Sequence, residues 1–281
     1  MKAWAKVRAT FRLARVGTHL GYGVATVALA YPFLPRKVRL RLKQRWSRQL
    51  LQMLGVRLHL EGVQHQGRTM IVANHVSWLD IFAINAVAPS AFVCKAEVRA
   101  WPVIGWLCAN TETIFIERGR ATAAQRTAER LEATLRSGRT VAFFPEGTTS
   151  DGSVVLPFRA ALLQPAIDCA ATLQPVSIRY ADHHGRPSIV PAYCGDGSFG
   201  DSLKRIAAAD SLSVRLSLLA PVDASQHHRR SLAAHARARI VERLHGSRVE
   251  AADRYASPET DAAPPAFDTD EQAQPQLHGA T

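Results

Sequence analysis

Short apolar runs alternate with amphipathic stretches through the middle of the chain. Residues 56–62, VRLHLEG, place Val and Leu on one face and Arg, His and Glu on the other, which predicts a half-buried strand. Later runs are almost continuously apolar, as is typical of strands covered on both faces. These runs are 69–74, 91–96, 113–117 and 140–145.

Helical and further strand patterns complete this region. Residues 120–136, rich in alanine and charge and stopped by Gly138, predict a surface helix, and a closing helix is predicted near residues 231–244. Further strands are predicted at 176–180, 189–194 and 213–220. Strands that alternate with helices predict one α/β domain over residues 56–246, with a mostly parallel sheet flanked by helices.

The 60 residues at the N-terminus differ from this domain in charge. They hold thirteen of the 35 Lys and Arg residues and no acid, so they account for the net charge of +12, and the rest of the chain is almost neutral. Residues 1–15 and 36–54 mix bases with apolar residues at helical spacing, and residues 16–34 carry no formal charge. The pattern predicts that residues 1–55 form a basic amphipathic and hydrophobic helix pair associated with an anionic membrane surface.

Other interpretations of this segment stay open. Residues 16–34 could form a single weak membrane span, or a signal peptide ending near Ala28-Leu29-Ala30. A nucleic-acid-binding arm is disfavoured because no basic run or reading motif follows. At the other end, residues 247–281 are acidic and rich in Pro, Ala and Gln, which predicts a disordered tail.

Cysteines and paired histidines do not suggest a metal site. The four cysteines are scattered without a C-x-x-C pair, which favours free thiols. The pairs His183-His184 and His227-His228 fall in polar stretches, where exposed histidines are commoner than metal ligands. We therefore predict that no metal is bound.

Polar residues follow several of the apolar runs at the point where each run stops. Asn74-His75, Glu117-Arg118 and residues 146–150 (EGTTS) take these places. Ligands of an open α/β sheet bind outside the carboxyl ends of its strands. If the strands are neighbours, this edge carries a base, an anion-holding cation and a hydroxyl-rich turn, which together suit a reaction site.

The segment NHVSWLD, residues 74–80, allows two interpretations. Residues five apart on a helix are offset by about 140°, so His75 and Asp80 can meet only if His75 precedes the helix that contains Asp80. The carboxylate would then orient the imidazole for proton transfer. Alternatively, Ser77 and Asp80 form a capping box that supports the helix N-terminus. Spacing alone does not decide between catalysis and capping.

Four ordered segments resemble the motifs of the glycerolipid acyltransferases. NHVSWLD is similar to their NHxSxxD motif, IFIER to FIxR, FPEGTTS to FPEGTRS, and QPVSI to a proline-centred fourth motif. These segments occupy residues 74–80, 114–118, 144–150 and 174–178. KAEVRAWPVIGWL, residues 95–107, also matches the Lys, Pro and Gly pattern of the family. Four ordered motifs over residues 56–220 are far more specific than a single H-x-x-x-x-D.

The resemblance implies the chemistry of the first motif. His75 would be the general base that deprotonates the acceptor hydroxyl, and Asp80 would orient it. The hydroxyl would attack the thioester of an acyl carrier protein or of coenzyme A, both of which are co-substrates. No permanently bound cofactor is implied.

The resemblance also implies which residues hold the acceptor. Arg118 would hold its anionic head group, with Lys95 as a second cation. Glu146, Gly147 and Thr148 would bind its glycerol part. An acylated membrane lipid is thus the expected substrate, and the cytoplasmic face of the bacterial inner membrane is the expected location.

One departure from the family affects the acceptor. Thr149 stands where the phosphatidate-forming enzymes commonly have arginine, and TTSDG followed by LPF is similar to the relatives that acylate lyso-ornithine lipid. Lysophosphatidic acid is the default expectation and lyso-ornithine lipid the alternative.

Two rival functions come from other classes. Gly195-Asp196-Gly197-Ser198-Phe199-Gly200 is a literal G-x-G-x-x-G, which in a strand-turn-helix would bind a dinucleotide. A catalytically silent protein of the membrane surface would share the basic N-terminus. A serine hydrolase is not supported because no G-x-S-x-G occurs.

Overall fold

The computed structural model describes residues 2–116, 121–195 and 197–246, so the predicted acidic tail at 247–281 and Arg118 lie outside the described residues. The helices are α1 (Lys2–Leu29), α2 (Arg36–Met53), α3 (Leu79–Asn85), α4 (Ile104–Asn110), α5 (Ala121–Arg136), α6 (Gln164–Asp168), α7 (Phe199–Ala208) and α8 (Arg229–His245). The strands are β1 (Val56–Glu61), β2 (Thr69–Ala73), β3 (Ala91–Lys95), β4 (Ile114–Ile116), β5 (Val141–Phe143), β6 (Thr172–Ala181), β7 (Leu212–Leu218) and β8 (Val222–Asp223).

The strands form one sheet in the order β1-β7-β6-β2-β5-β3-β4, and β8 pairs with β6. Five consecutive strands of the sheet run parallel to one another: β6, β2, β5, β3 and β4. At the other edge, β1 is parallel to β7. The pairing of β6 with β7 is antiparallel. This arrangement confirms the predicted α/β fold with a mostly parallel sheet.

Helices cover both faces of the sheet at β2. Ile71 and Ala73 of β2 belong to the hydrophobic cluster that includes residues of α2, α3 and α7. Met70 and Val72 point the other way, into the cluster with residues of α5, α6 and α8. All four side chains are fully buried, which explains why this run is apolar without alternation.

The predicted strand at residues 189–194 is wrong. This segment forms a turn and loop, in which the amide of Ala192 donates to the carbonyl of Ile189 at 3.0 Å. Pro191 lacks the N–H group that a ladder strand donates. The loop instead runs back to the end of β2, where the amide of Tyr193 donates to the carbonyl of Val76 at 2.9 Å.

The N-terminal basic stretch and most of the charge-free stretch form one continuous helix, α1, rather than separate elements. Two of its bases fix it to the end of α7. Arg8 pairs with Asp210 at 2.6 Å, and Arg12 donates to the carbonyls of Ala207 and Ala209 at 3.2 and 2.7 Å. These arginines therefore stabilise the fold as well as adding positive charge.

The helix pair also shares the core of the domain. Leu50, Leu51 and Leu54, in α2 and just after it, are buried with the residues of β1 and β7. Removing residues 1–55 would therefore expose apolar core surface. Among the residues described, no helix combines the length and the apolarity needed to cross a bilayer.

Candidate active site

His75 lies just beyond the carboxyl end of β2, against an aromatic side chain from the next strand. Its ring stacks on Phe144 with centroids 3.8 Å apart and planes 3° from parallel. The parallel pairing of β2 with β5, which sets Val72 opposite Phe143, brings both residues to the carboxyl ends of neighbouring strands. The side chain of His75 remains 18% exposed, so a substrate can reach it.

Asp80 is fully buried in the first turn of α3 and accepts four hydrogen bonds. Its Oδ2 receives the backbone amides of Val76 and Ser77 at 2.7 and 2.9 Å and lies 2.9 Å from Nδ1 of His75. Its Oδ1 receives the hydroxyl of Tyr180 at 2.6 Å. The contact predicted for His75 and Asp80 is present, and its catalytic role stays a prediction. Only half of the capping box forms: the carboxylate of Asp80 accepts the amide of Ser77, whereas the amide of Asp80 donates to the carbonyl of Ser77 and not to its hydroxyl.

The contacts of Asp80 set the proton positions around it. An ionised carboxylate can only accept, so the proton is assigned to Nδ1 of His75 and the lone pair to Nε2. No hydrogen bond to this Nε2 comes from any described residue. Burial, followed by the charge of Asp80, raises the pKa of Tyr180 well above its ordinary value, which keeps its hydroxyl protonated as a donor.

Glu146 supports the same site from the turn after β5. Its Oε1 accepts the backbone amide of His75 at 2.7 Å, and its Oε2 accepts the amide of Leu156 at 2.9 Å. Burial raises the pKa of Glu146 to about 7, although these two amides lower it. Both oxygens therefore contact the protein backbone, and the substrate contact expected for Glu146 stays a prediction.

The turn at residues 147–150 is tied to the loops around it. Gly147 has a φ of +73°, and a Cβ atom there would lie 3.3 Å from the guanidinium of Arg159. Thr149 Oγ1 donates to the carbonyl of Tyr193, and the amide of Ser150 donates to the carbonyl of His75 at 2.9 Å. Thr148 is exposed. The turn thus bonds the backbone of His75 on one side and lies against the guanidinium of Arg159 at Gly147.

Comparison with known proteins identifies the family of this chain. A model of the family described as Acyltransferase matches residues 55–179. The lyso-ornithine lipid O-acyltransferase of Pseudomonas aeruginosa is 33% identical over 259 residues, which cover 90% of this chain and 100% of that protein. The chain belongs to the acyltransferase family.

Another relative and a solved structure extend the comparison. The 1-acyl-sn-glycerol-3-phosphate acyltransferase of Neisseria meningitidis serogroup B is 38% identical over 173 residues, covering 62% of this acyltransferase and 68% of that protein. The crystal structure of PlsC, the 1-acyl-sn-glycerophosphate acyltransferase of Thermotoga maritima, superposes with a TM-score of 0.65. It is 24% identical and covers 86% of this chain and 97% of that one, which supports the fold.

The acyltransferase brings some of the expected site residues together and leaves others apart. His75 and Asp80 are in contact, and Glu146 and Gly147 lie beside them. Lys95 is exposed at the end of β3, which is separated from β2 by β5. Strand spacing puts it about 10 Å from the line of β2.

Sequence reasoning missed three side chains that contact residues of the site: Tyr180, Phe144 and Arg159. The alternation in VSIRY, residues 176–180, does place Tyr180 on the same face as Val176 and Ile178. It does not say that β6 lies next to β2, which is what brings the tyrosine to Asp80. The contact of Phe144 with the histidine likewise depends on the parallel pairing of β2 with β5, which the sequence pattern does not predict.

The glycine-rich segment at 195–200 lacks the context of a dinucleotide site. A loop precedes it instead of a strand, and Asp196 lies outside the described residues. Ser198 caps α7 by accepting the amide of Asp201, and Phe199 packs on Trp78 with ring centroids 4.9 Å apart. The segment therefore begins a helix that packs beside the first motif.

Glu146 provides a pH-dependent test of this geometry. Because its pKa in the folded state, about 7, exceeds the ordinary 4.5, the folded state binds the extra proton. Its contribution to stability is therefore full below about pH 4.5 and declines as the pH rises through about 7. Glu146→Gln places an amide N–H₂ against one of the two backbone donors and should lower the free energy of unfolding by roughly 1–3 kcal/mol.

Denaturant unfolding of both proteins at pH 5 and pH 8 measures this effect. The stability advantage of wild type over Glu146→Gln should be larger at pH 5. An advantage that grows toward pH 8 would show that the folded protein holds Glu146 ionised.

Proposed function

We propose that this acyltransferase moves a fatty acyl group from the thioester of an acyl carrier protein or coenzyme A to the free hydroxyl of a lysolipid. The default acceptor is 1-acyl-glycerol-3-phosphate, and the product is then phosphatidic acid. The observation that carries the proposal is the His75–Asp80 pair, with Nε2 of a partly exposed histidine unengaged by any described residue.

In the proposed reaction, Nε2 of His75 takes the proton from the acceptor hydroxyl as its oxygen attacks the thioester carbonyl. The carbon–sulfur bond then breaks, and the leaving thiolate recovers a proton from the imidazolium. Asp80 holds the ring through Nδ1, 2.9 Å away, and stabilises its positive charge. The acceptor is itself the nucleophile, so Ser77, which is fully buried, has no covalent role.

A cation against the turn after β5 supports an anionic acceptor. Thr149 replaces the arginine common in phosphatidate-forming relatives, but the guanidinium of Arg159 lies over Gly147 in the same turn. Its side chain is exposed and has no ion pair among the residues that the structure describes. We infer that Arg159 holds the phosphate together with Arg118.

Lyso-ornithine lipid remains the second candidate acceptor. The Pseudomonas relative named for that lipid aligns with 90% of this chain, which is more than the 62% aligned with the Neisseria relative. The hydroxyl of Thr149 also donates to the carbonyl of Tyr193, so the proton of this hydroxyl is already used and is not available to bind phosphate.

Arg159→Gln should raise the apparent KM for lysophosphatidic acid about 10- to 100-fold, because charge-assisted hydrogen bonds contribute roughly 1.5–3 kcal/mol. The value of kcat should change little. Initial rates with labelled acyl thioester measure both quantities, with Arg126→Gln, an exposed position on α5, as the control of equal charge. The same assay with lyso-ornithine lipid compares the acceptors.

Two results would contradict parts of this proposal. An unchanged KM in Arg159→Gln would place the head group elsewhere. Faster turnover of lyso-ornithine lipid by wild type would make that lipid the substrate.

The surface of α1 supports action at a membrane. Trp4, Phe11 and Phe33, the last just after α1, are 77%, 62% and 85% exposed and lie near basic residues. Exposed aromatic side chains among bases suit the interface of an anionic bilayer. We propose that α1 and α2 hold the enzyme on the cytoplasmic face of the inner membrane.

A further inference from the structure

A polar groove of about 390 Å³ lies over β1, β7 and β6, beside the end of α8. Arg179 of β6 lines it, whereas the next residue, Tyr180, points to the opposite face and bonds Asp80. The groove is therefore a separate site from the His75 pocket. Serines and histidines line it together with four arginines.

The strand register brings two arginines and a histidine together across this groove. Arg179 is the direct cross-strand partner of Arg215, and Arg215 is the partner of His59. Like charges directly opposite one another destabilise a sheet. All three side chains are exposed, so an arriving ligand can contact them.

Only part of the positive charge is neutralised within the protein. Glu61 pairs with Arg215 at 2.7 Å and with Arg243. Arg57 and Arg179 make no ion pair within residues 2–116, 121–195 and 197–246. The groove thus holds two guanidinium groups that make no ion pair among the described residues, next to a partly compensated pair. The carboxylate of Asp182 also lines it and is paired with Arg186 at 2.9 Å.

Hydroxyl groups lie in the neighbouring rows of the same face. Ser213 is the register partner of Arg57, and Ser217 is the partner of Ser177 across β6 and β7. Both pairs line the groove, but the hydroxyl of Ser213 donates to the carbonyl of Ala181 at 3.3 Å and that of the buried Ser217 donates to Glu61 at 2.8 Å. The guanidinium groups are therefore the donors in this groove that suit phosphate oxygens.

We propose that this groove binds a small soluble anion that carries two adjacent phosphate groups. Its volume is in the range of small-molecule sites, and its arginine-rich lining fits a doubly charged ligand better than an apolar one. The proposal goes beyond the proposed acyl transfer and does not depend on it. Exposed Trp and Phe side chains of the kind expected at a bilayer lie on α1, just after it and at α4, and none of them lines the groove, which favours a soluble ligand over a lipid surface.

Isothermal titration of the full-length protein with inorganic pyrophosphate tests the proposal. Wild type should bind one equivalent saturably. Arg57→Gln and Arg179→Gln should each weaken binding at least tenfold, because both side chains are exposed and make no ion pair with a described residue, so that their loss leaves the fold intact. Arg126→Gln on α5 removes the same charge outside the groove and should leave the dissociation constant unchanged.

A second arm separates a soluble ligand from a membrane headgroup. Sedimentation with vesicles of phosphatidylglycerol and phosphatidylcholine should be equal for wild type, Arg57→Gln and Arg179→Gln. The proposal is overturned if wild type does not bind pyrophosphate, if Arg126→Gln weakens binding as much as the groove variants, or if the groove variants lose only vesicle binding.

Discussion

His75→Ala is expected to lower the rate of acyl transfer by roughly 10²- to 10⁴-fold, the range that a positioned general base contributes. The imidazole is partly exposed, its Nε2 makes no hydrogen bond with a described residue, and the carboxylate of Asp80 lies 2.9 Å from Nδ1. The loss should appear in kcat, since the ring acts on the hydroxyl during attack. Initial rates with labelled thioester and saturating lysolipid measure it.

The control for this variant separates chemistry from folding. The ring of His75 also packs on Phe144, so thermal unfolding of the variant should be compared with wild type. His235→Ala, an exposed position on α8, is the matched histidine substitution and should keep full activity. A folded His75→Ala enzyme with activity near wild type would eliminate the histidine as the base.

Asp80→Asn should reduce activity by a similar factor, roughly 10²- to 10⁴-fold, because the amide cannot stabilise the imidazolium as a carboxylate does. It should also destabilise the fold by about 1–3 kcal/mol. Asp80 is fully buried and its oxygens accept four donors, so a neutral side chain weakens several charge-assisted bonds at once. Steady-state rates and denaturant unfolding measure the two effects.

Tyr180→Phe distinguishes the two roles of Asp80. It removes the bond to Oδ1 and leaves the contact of Oδ2 with His75 in place. We expect a loss of stability comparable to that of Asp80→Asn but a much smaller loss of kcat. Equal losses of activity in the two variants would mean that Asp80 acts through packing of the site rather than through the imidazole.

Much of the candidate site could be predicted because the ends of parallel neighbouring strands meet at one edge of a sheet. The apolar runs at 69–74 and 140–145 are strands β2 and β5, and the residues after them do lie together. Spacing did not separate the two roles predicted for Asp80, because its carboxylate contacts both the imidazole of His75 and the amide of Ser77 at the start of the helix. The contact between His75 and Glu146 uses the backbone amide of His75, so the pattern of side chains along the sequence does not predict it.

Strand order and long-range packing account for what the sequence did not predict. The partner of Asp80 from β6 is 100 positions away in the chain, and the periodicity of a strand does not identify its neighbour. The composition of residues 189–194 resembles that of a strand, but the segment is a loop in which Ala192 is buried against the core. In α1, the arginines that suggested a membrane surface include two that bond α7 and its end.

The most direct measurement is the release of free thiol from an acyl thioester by wild type and His75→Ala, with and without lysophosphatidic acid. Direct attack by the acceptor predicts that wild type releases thiol only when the lysolipid is present, with one diacyl product per thiol. His75→Ala should release almost none under either condition. Thiol release at the wild-type rate by His75→Ala with acceptor present would contradict the account.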